Sequence, residues 1–189
     1  MKLSMVRAKS PKSLKVKRDG GLKMALKCPH LVFVYGSLKR QQPNHEAWLA
    51  NPDKGQAVFH AQGQTVKAFP LIVASRYNIP YLLDAPGMGR RVQGEVFAVN
   101  DLMLQNLDIM EDVPAFYSRG RASVELTDKS LIECWLYTLP DYKEELLQNE
   151  CLANYASEEL PLTPFVPRAL RSTTDFYWEV KKTARKPDS

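Results

Sequence analysis

Short apolar runs separated by polar, Gly- and Pro-containing segments follow one another along the chain from about residue 30. The first run, residues 31–35, is continuous and rich in β-branched and aromatic side chains, which predicts a fully buried strand. Further runs of strand character occupy residues 57–61, 71–74, 91–99, 119–126 and 132–138. A Pro- and Gly-rich turn is predicted at 84–89.

Helical spacing with polar capping residues occurs less often. Three helices are predicted, namely 45–50 after Asn44, 102–112 after Asn100 or Asp101, and 141–156. Pro161, Pro164 and Pro167 mark an irregular stretch before residues 176–180. Short strands that do not alternate regularly with helices favour an α+β fold with a mixed sheet or a small mixed β-barrel flanked by helices.

Charge is unevenly distributed and divides the 189 residues into three parts. Residues 1–27 hold nine Lys and Arg against one Asp, a net +8, and residues 181–189 hold a net +3. Since the whole chain carries +5, residues 28–180 carry a net −6. We therefore predict a basic, disordered extension at 1–27, a folded domain at 28–180 and a basic tail at 181–189. An acidic body argues against binding to nucleic acid or to an anionic membrane.

The cysteines, the histidines and the lengths of the apolar runs indicate which cellular compartment and which cofactors to expect. Three cysteines lack CxxC spacing, which favours a reducing compartment, and three isolated histidines give no metal-ligand pattern. No apolar run has the length of a membrane span. We expect a cytoplasmic protein without a metal or organic cofactor. Mitochondrial targeting by the basic N-terminus is the alternative.

Glu111 is the first candidate for chemistry. A 3.6-residue period places it in line with the apolar residues Leu104 and Leu107 of the predicted helix. Burial and the negative end of the helix dipole both make a carboxylate a better proton acceptor near neutral pH. The alternative is a boundary Glu that reaches solvent or pairs with Arg119 or Arg121.

The second candidate is the loop Tyr35-Gly36-Ser37-Leu38, which follows the first buried strand. A Gly-containing loop in this position exposes consecutive backbone N–H groups, and such groups bind a carboxylate or a developing oxyanion. The alternative is an ordinary turn that ends the strand.

Four other residues are weaker candidates. Glu95 is a reserve general base, although an exposed strand Glu explains it equally well. Tyr117 is placed to orient Glu111 or to line a pocket, or else it packs in the sheet. Cys134 and Cys151 have no nearby His, so we interpret them as core or surface thiols and not as nucleophiles.

An ordered series of motifs resembles the gamma-glutamylcyclotransferase superfamily, and within it the gamma-glutamylamine cyclotransferases. The resemblance covers roughly residues 29–138. The motifs are LVFVYGSLKR (31–40), QPNH (42–45), PLIVA (70–74), YNIPYLL (77–83), PGMG (86–89), VQGEVFAV (92–99), LDIME (107–111) and PAFY (114–117).

The resemblance implies a mixed β-barrel flanked by helices and assigns two functional parts. Residues 35–38 correspond to the family's YG[ST]L loop, which binds the glutamyl group of the substrate. Ser37 stands where the nearest relatives have Thr. Glu111 corresponds to the family's catalytic Glu, at the end of the helix that follows the GEV-[Tyr/Phe]-AV strand.

The implied reaction is the cyclisation of a gamma-glutamyl compound to 5-oxoproline, with release of an amine and with Glu111 as general acid and base. The family-implied substrate is gamma-glutamyl-ε-lysine from degraded transglutaminase crosslinks, gamma-glutamyl amino acids are the runner-up, and glutathione fits less well. A non-catalytic binding module on the same fold is the alternative from another class. Beyond Thr138 the sequence departs from these relatives, so the leaving group stays open.

Overall fold

A computed structural model of the chain describes residues 27–159, 165–167, 170–171 and 176–186. The predicted N-terminal extension, apart from Lys27, and the last three residues of the predicted tail lie outside the described residues. Pro161 and Pro164 of the predicted irregular stretch also lie outside them.

Seven strands and two α-helices make up the described part of the chain. In chain order they are β1 (His30–Val34), β2 (Ala57–Phe69), β3 (Leu71–Ala74), β4 (Ile79–Leu82), β5 (Arg90–Val99), α1 (Asp101–Met110), β6 (Ser118–Leu126), β7 (Leu131–Thr138) and α2 (Tyr177–Val180). Short 3-10 helices occur at Pro52–Lys54, Glu144–Gln148 and Ser157–Glu159.

Five of the strands close into a barrel in the order β1-β5-β2-β6-β7. Neighbours pair antiparallel, except that β7 closes the barrel on β1 in parallel through Trp135 and Val32. Strands β3 and β4 form a separate hairpin, which a bridge between Leu83 and Leu139 joins to the end of β7. The predicted α+β class with a small mixed barrel is confirmed.

The alternation of side chains along β1 divides the core in two. Val32 and Val34 pack in the cluster that contains α1, whereas Phe33 and Tyr35 pack with residues from all five barrel strands. Because successive strand residues face opposite sides, one five-residue run anchors both clusters. The loop that follows β1 is thereby held at the junction of the barrel and α1.

Two predicted helices are absent from the described structure. Residues 45–50 form consecutive turns, and of the stretch 141–156 only Glu144–Gln148 is helical, as a 3-10 helix. Downstream, the N–H of Leu152 donates to the Leu71 carbonyl at 2.7 Å, which draws the chain out along β3. Hydrogen bonds to distant parts of the chain thus replace the helical ones that the local spacing favours.

The other predicted elements are present, with shifted ends. The strand predicted at 57–61 runs on to Phe69 and includes several polar residues in its later part. Its register against β5 shifts twice, as at β-bulges. Helix α1 begins after Asn100, whose side-chain oxygen accepts from the Met103 N–H at 2.9 Å. Its predicted cap is therefore confirmed.

Candidate active site

A cavity of about 110 Å³ opens beside the end of β1. Among the parts of the chain that meet there are the loop after β1, the β3–β4 hairpin, the end of α1 with the segment that follows it, and the C-terminal segment around α2. The lining residues are Phe33, Val34, Tyr35, Gly36, Ser37, Leu38, Asn44, Trp48, Ile79, Pro80, Tyr81, Met110, Glu111, Phe116, Tyr117, Tyr137, Phe165, Arg171, Phe176 and Tyr177. The loop Tyr35–Leu38 and Glu111, selected separately from the sequence, thus line one cavity.

Glu111 is the C-terminal capping residue of α1, and its N–H donates to the Leu107 carbonyl at 2.9 Å. Leu104 and Leu107 on the same helix are buried, as the periodicity predicts. The arginines considered as partners are engaged by other groups: Arg119 pairs with Asp108, and Arg121 lies over the ring of Trp135. The helix therefore presents a carboxylate at its end, half-buried in the cavity wall.

Two tyrosine hydroxyls next to Glu111 stay neutral. Burial raises the pKa of Tyr35 and of Tyr117 well above the usual tyrosine value, and the negative charge of Glu111 raises both further. The Tyr35 hydroxyl donates to the Tyr137 carbonyl at 2.9 Å. Tyr117 lines the cavity, which is one of its two predicted roles. The part of the wall formed by Tyr35 and Tyr117 is thus buried, aromatic and uncharged.

Asp108 fixes Tyr137, which lines the cavity. The sequence alone does not mark Asp108 as part of the site. Its carboxylate accepts from the Tyr137 hydroxyl at 2.7 Å and from the Arg119 guanidinium at 2.6 Å. Burial raises the pKa of Tyr137, and the hydrogen bond to Asp108 adds to the effect. Tyr137 is therefore fixed at both its hydroxyl and its carbonyl, which receives the Tyr35 hydroxyl.

Gly36 fits its position because of a close approach to the β3–β4 hairpin. A Cβ atom built on Gly36 would lie 2.9 Å from Cγ of Pro80, closer than real Cβ contacts allow. The neighbour that requires glycine at this position is therefore Pro80, which also lines the cavity.

Asn44 and His45 clamp the loop from the segment that follows it. The Asn44 side-chain amide donates to the Ser37 hydroxyl at 2.9 Å, and its backbone N–H donates to the Ser37 carbonyl at 2.9 Å. A hydrogen bond of 2.9 Å joins His45 Nδ1 and the Leu38 carbonyl. The carbonyl groups of Ser37 and Leu38 therefore take part in hydrogen bonds, whereas the N–H groups of the same two residues have no acceptor among the described residues.

The C-terminal segment supplies the far wall of the cavity. The ring of Tyr177 stacks on Phe116 at 3.8 Å between centres, and Phe176 meets Tyr77 edge-on at 5.5 Å. Helix α2 is also fixed by an ion pair between Arg76 and Glu179. The aromatic run at 176–178, in the region beyond Thr138 that the sequence offers as a lining of the leaving-group pocket, supplies two of the lining residues, Phe176 and Tyr177.

The reserve candidate Glu95 lies outside this cavity and is 7% exposed. Its carboxylate accepts from Arg40 twice, from Nε at 3.0 Å and from the backbone N–H at 2.9 Å. It borders a separate polar cleft of about 530 Å³. The exposed strand position considered for Glu95 is therefore wrong, because the side chain is buried. The sequence does not reveal its partner, since Arg40 lies 55 residues away along the chain.

Cys134 is a core thiol, as the sequence predicts. It is fully buried, and desolvation raises its pKa to about 12. A thiol in this state is a poor nucleophile at neutral pH. Within the described ranges, no cluster of His, Cys, Asp and Glu side chains is suited to a metal ion. Nor does any helix there have the length and apolar character needed to cross a bilayer.

The chain matches the family described as "Gamma-glutamyl cyclotransferase, AIG2-like" over residues 32–157. The matched region contains the loop Tyr35–Leu38 and Glu111. It ends before Phe165, Arg171 and α2, which complete the cavity.

Individual relatives agree with this match. Gamma-glutamylaminecyclotransferase of Homo sapiens is 40% identical over 139 residues, 68% of this chain and 90% of that protein. The Troponin C-akin-1 protein of Drosophila melanogaster is 38% identical over 142 residues, 75% of this chain and 83% of that protein. The crystal structure of an AIG2-like protein from Mus musculus superimposes with a TM-score of 0.71 at 38% identity, covering 75% of this chain and 98% of that one.

Proposed function

The chain belongs to the gamma-glutamyl cyclotransferase, AIG2-like family, and we propose that it converts gamma-glutamylamines to 5-oxoproline and a free amine. The observation that carries this proposal is the shared cavity of Glu111 and the loop Tyr35–Leu38. The name of the human relative supports an amine as leaving group. The substrate proposed is gamma-glutamyl-ε-lysine, the isopeptide that remains when transglutaminase crosslinks are degraded.

Glu111 is proposed as the general base and acid. The α-amine of a gamma-glutamyl group is mostly protonated at neutral pH and cannot attack its own γ-carbonyl carbon until a proton is removed. Attack closes a five-membered lactam. When the bond from the γ-carbonyl carbon to the leaving nitrogen breaks, that nitrogen takes up a proton from Glu111. Positioned acid–base catalysis of this kind contributes on the order of 10²–10⁴-fold in rate.

The loop is proposed to stabilise the negative charge that develops on the γ-carbonyl oxygen. Ser37 and Leu38 line the cavity, and Asn44 bonds the hydroxyl and the carbonyl of Ser37 and leaves the two backbone N–H groups to the substrate. One well-placed oxyanion donor contributes about 10²–10³-fold in rate. Because a buried aromatic wall surrounds the site, such bonds are stronger there than in water.

The cavity also favours cyclisation through shape. A gamma-glutamyl chain is flexible, and holding it bent brings the amine and the γ-carbonyl together before reaction. Tyr81, Phe116 and Tyr117 are buried residues that narrow the cavity around Glu111. Confinement by rigid rings keeps the chain bent and keeps water from competing for the carbonyl.

The test is to incubate the full chain with gamma-glutamyl-ε-lysine, gamma-glutamylalanine or glutathione in water enriched in ¹⁸O. The proposal expects equal amounts of 5-oxoproline and free lysine from the first compound, without ¹⁸O in the 5-oxoproline. Labelled glutamate would show hydrolysis instead. A preference for gamma-glutamylalanine would move the assignment to amino-acid substrates, and binding without turnover would identify a binding module.

A further inference from the structure

Two of the described residues that line the cavity are charged, Glu111 and Arg171. Glu111 ends α1, whereas Arg171 belongs to the C-terminal wall, outside the residues 32–157 matched by the family. The reaction proposed above assigns a role to Glu111 and none to Arg171. A cation in the wall of a largely aromatic cavity is a candidate for binding an anionic part of the substrate.

The guanidinium of Arg171 is held among three aromatic rings. It lies 5.2 Å from the ring centre of Tyr77, 5.3 Å from that of Phe176 and 5.5 Å from that of Phe165. Its Nε donates to the Val166 carbonyl at 3.0 Å. These contacts orient a planar group whose N–H fork matches the two oxygens of a carboxylate.

The position of Arg171 separates it from the reacting end of the substrate. The charge of Glu111 acts on Tyr35 and Tyr117. Arg171 lies over the ring of Phe176, and its charge acts on Tyr81, which stacks on Tyr117 at 6.5 Å between ring centres. Phe116 lies 5.0 Å from the ring centre of Tyr117 and 6.2 Å from that of Phe176. A substrate that reacts at Glu111 would therefore extend past Phe116 and Tyr81 to reach Arg171.

The glutamyl group has its own α-carboxylate, but that group is bonded to the carbon that carries the reacting amine. It consequently stays beside Glu111 when the amine does. A carboxylate that reaches Arg171 must belong to the other half of the substrate, the amine that leaves. In gamma-glutamyl-ε-lysine the lysine α-carboxylate lies at the far end of a four-carbon stem, which suits such a separation.

Resting on the proposed function, we propose that Arg171 binds the α-carboxylate at the far end of the departing lysine and selects gamma-glutamyl-ε-lysine over gamma-glutamylamines that lack this carboxylate. The loop and Glu111 recognise the glutamyl half, and the C-terminal wall recognises the other half. Arg171 is on this account a specificity-determining residue, because it contacts the substrate at a distance from the bond that breaks.

The test compares gamma-glutamyl-ε-lysine with gamma-glutamylcadaverine, which differ only by the lysine α-carboxylate. Wild type is expected to favour the lysine compound by roughly 10- to 100-fold in kcat/KM, the range of a charge-assisted hydrogen-bonded pair. Arg171→Gln should remove this preference by raising KM for the lysine compound, with the cadaverine compound changed less than about threefold. Arg171→Lys should restore part of it.

Arg90→Gln is the matched control, because Arg90 is exposed on β5 and does not line the cavity. It should leave both substrates unchanged. Equal losses for both substrates in Arg171→Gln, or no preference in wild type, would overturn the role of Arg171 while leaving the cyclotransferase intact. Absence of turnover of any gamma-glutamyl compound by wild type would overturn the proposed function itself, and the role of Arg171 with it.

Discussion

Asn44 holds Ser37 through two hydrogen bonds of 2.9 Å, one from its backbone N–H to the carbonyl and one from its side-chain amide to the hydroxyl. The sequence predicts Asn44 as the cap of a helix that does not form. The residue instead fixes the loop that borders Glu111, so its polar side chain serves the candidate site and not local secondary structure.

Replacing Asn44 with Ala should lower kcat/KM by about fivefold, because the loss of one partly buried side-chain hydrogen bond of about 1 kcal/mol lets the loop depart from its bonded geometry. The measurement is steady-state release of 5-oxoproline from gamma-glutamyl-ε-lysine. Ser37→Ala should cause a similar loss, and the double variant should be little worse than either single one, since both remove the same contact.

Ser37→Thr is the control for this pair, because threonine keeps the hydroxyl that Asn44 contacts. It should retain turnover close to that of wild type. Additive losses in Asn44→Ala/Ser37→Ala would show that the two residues act independently, and the clamp would then have no role in catalysis.

The approach of Gly36 to Pro80 predicts a steric effect of any side chain at residue 36. Gly36→Ala should lower the free energy of unfolding by roughly 1–3 kcal/mol and reduce turnover, because the new methyl group displaces either the loop or the hairpin. Denaturant unfolding and the 5-oxoproline assay measure the two effects.

Two further variants isolate the cause. Gly120→Ala introduces the same methyl group on β6, where nothing lies within 4 Å of the added Cβ, and it should be close to neutral. Adding Pro80→Ala to Gly36→Ala removes the Cγ atom that clashes and should recover part of the loss. If Pro80→Ala gives no recovery, the contact with Pro80 is not what requires glycine at this position.

The raised pKa of Cys134, about 12, predicts how its thiol reacts. In the native protein Cys134 should resist iodoacetamide between pH 7 and 9, since the thiolate is the reactive form and burial keeps the thiol protonated. In guanidinium chloride the rate should rise steeply with pH up to the ordinary thiol pKa of about 8.5. Peptide mass spectrometry measures both, and rapid native modification would contradict the buried, unreactive state.

Elements with strong local signals were predictable from the sequence. The run at 31–35, the strand at 91–99 and the helix that ends beside Glu111 all appear where pattern and capping residues place them. In each case the local preference and the tertiary packing agree, because the apolar side chains that define the pattern are those that the core buries.

The sequence was less informative where distant residues decide the conformation. Tertiary hydrogen bonds override the helical spacing of residues 141–156, and the pairing of Glu95 with Arg40 depends on the register between β1 and β5. The wall formed by Arg171 and α2 depends on how the C-terminal segment returns to the cavity. No local pattern encodes that return, so the leaving-group side of the site required the structure.

The proposed transfer of protons by Glu111 during cyclisation is tested by the turnover of Glu111→Gln. Glutamine keeps the shape of the side chain but cannot accept the amine proton, so kcat should fall by 10²-fold or more, with the fold retained by circular dichroism. Glu95→Gln makes the same change outside the cavity and should keep kcat within a few-fold of wild type. Turnover by Glu111→Gln at the wild-type rate would contradict the account.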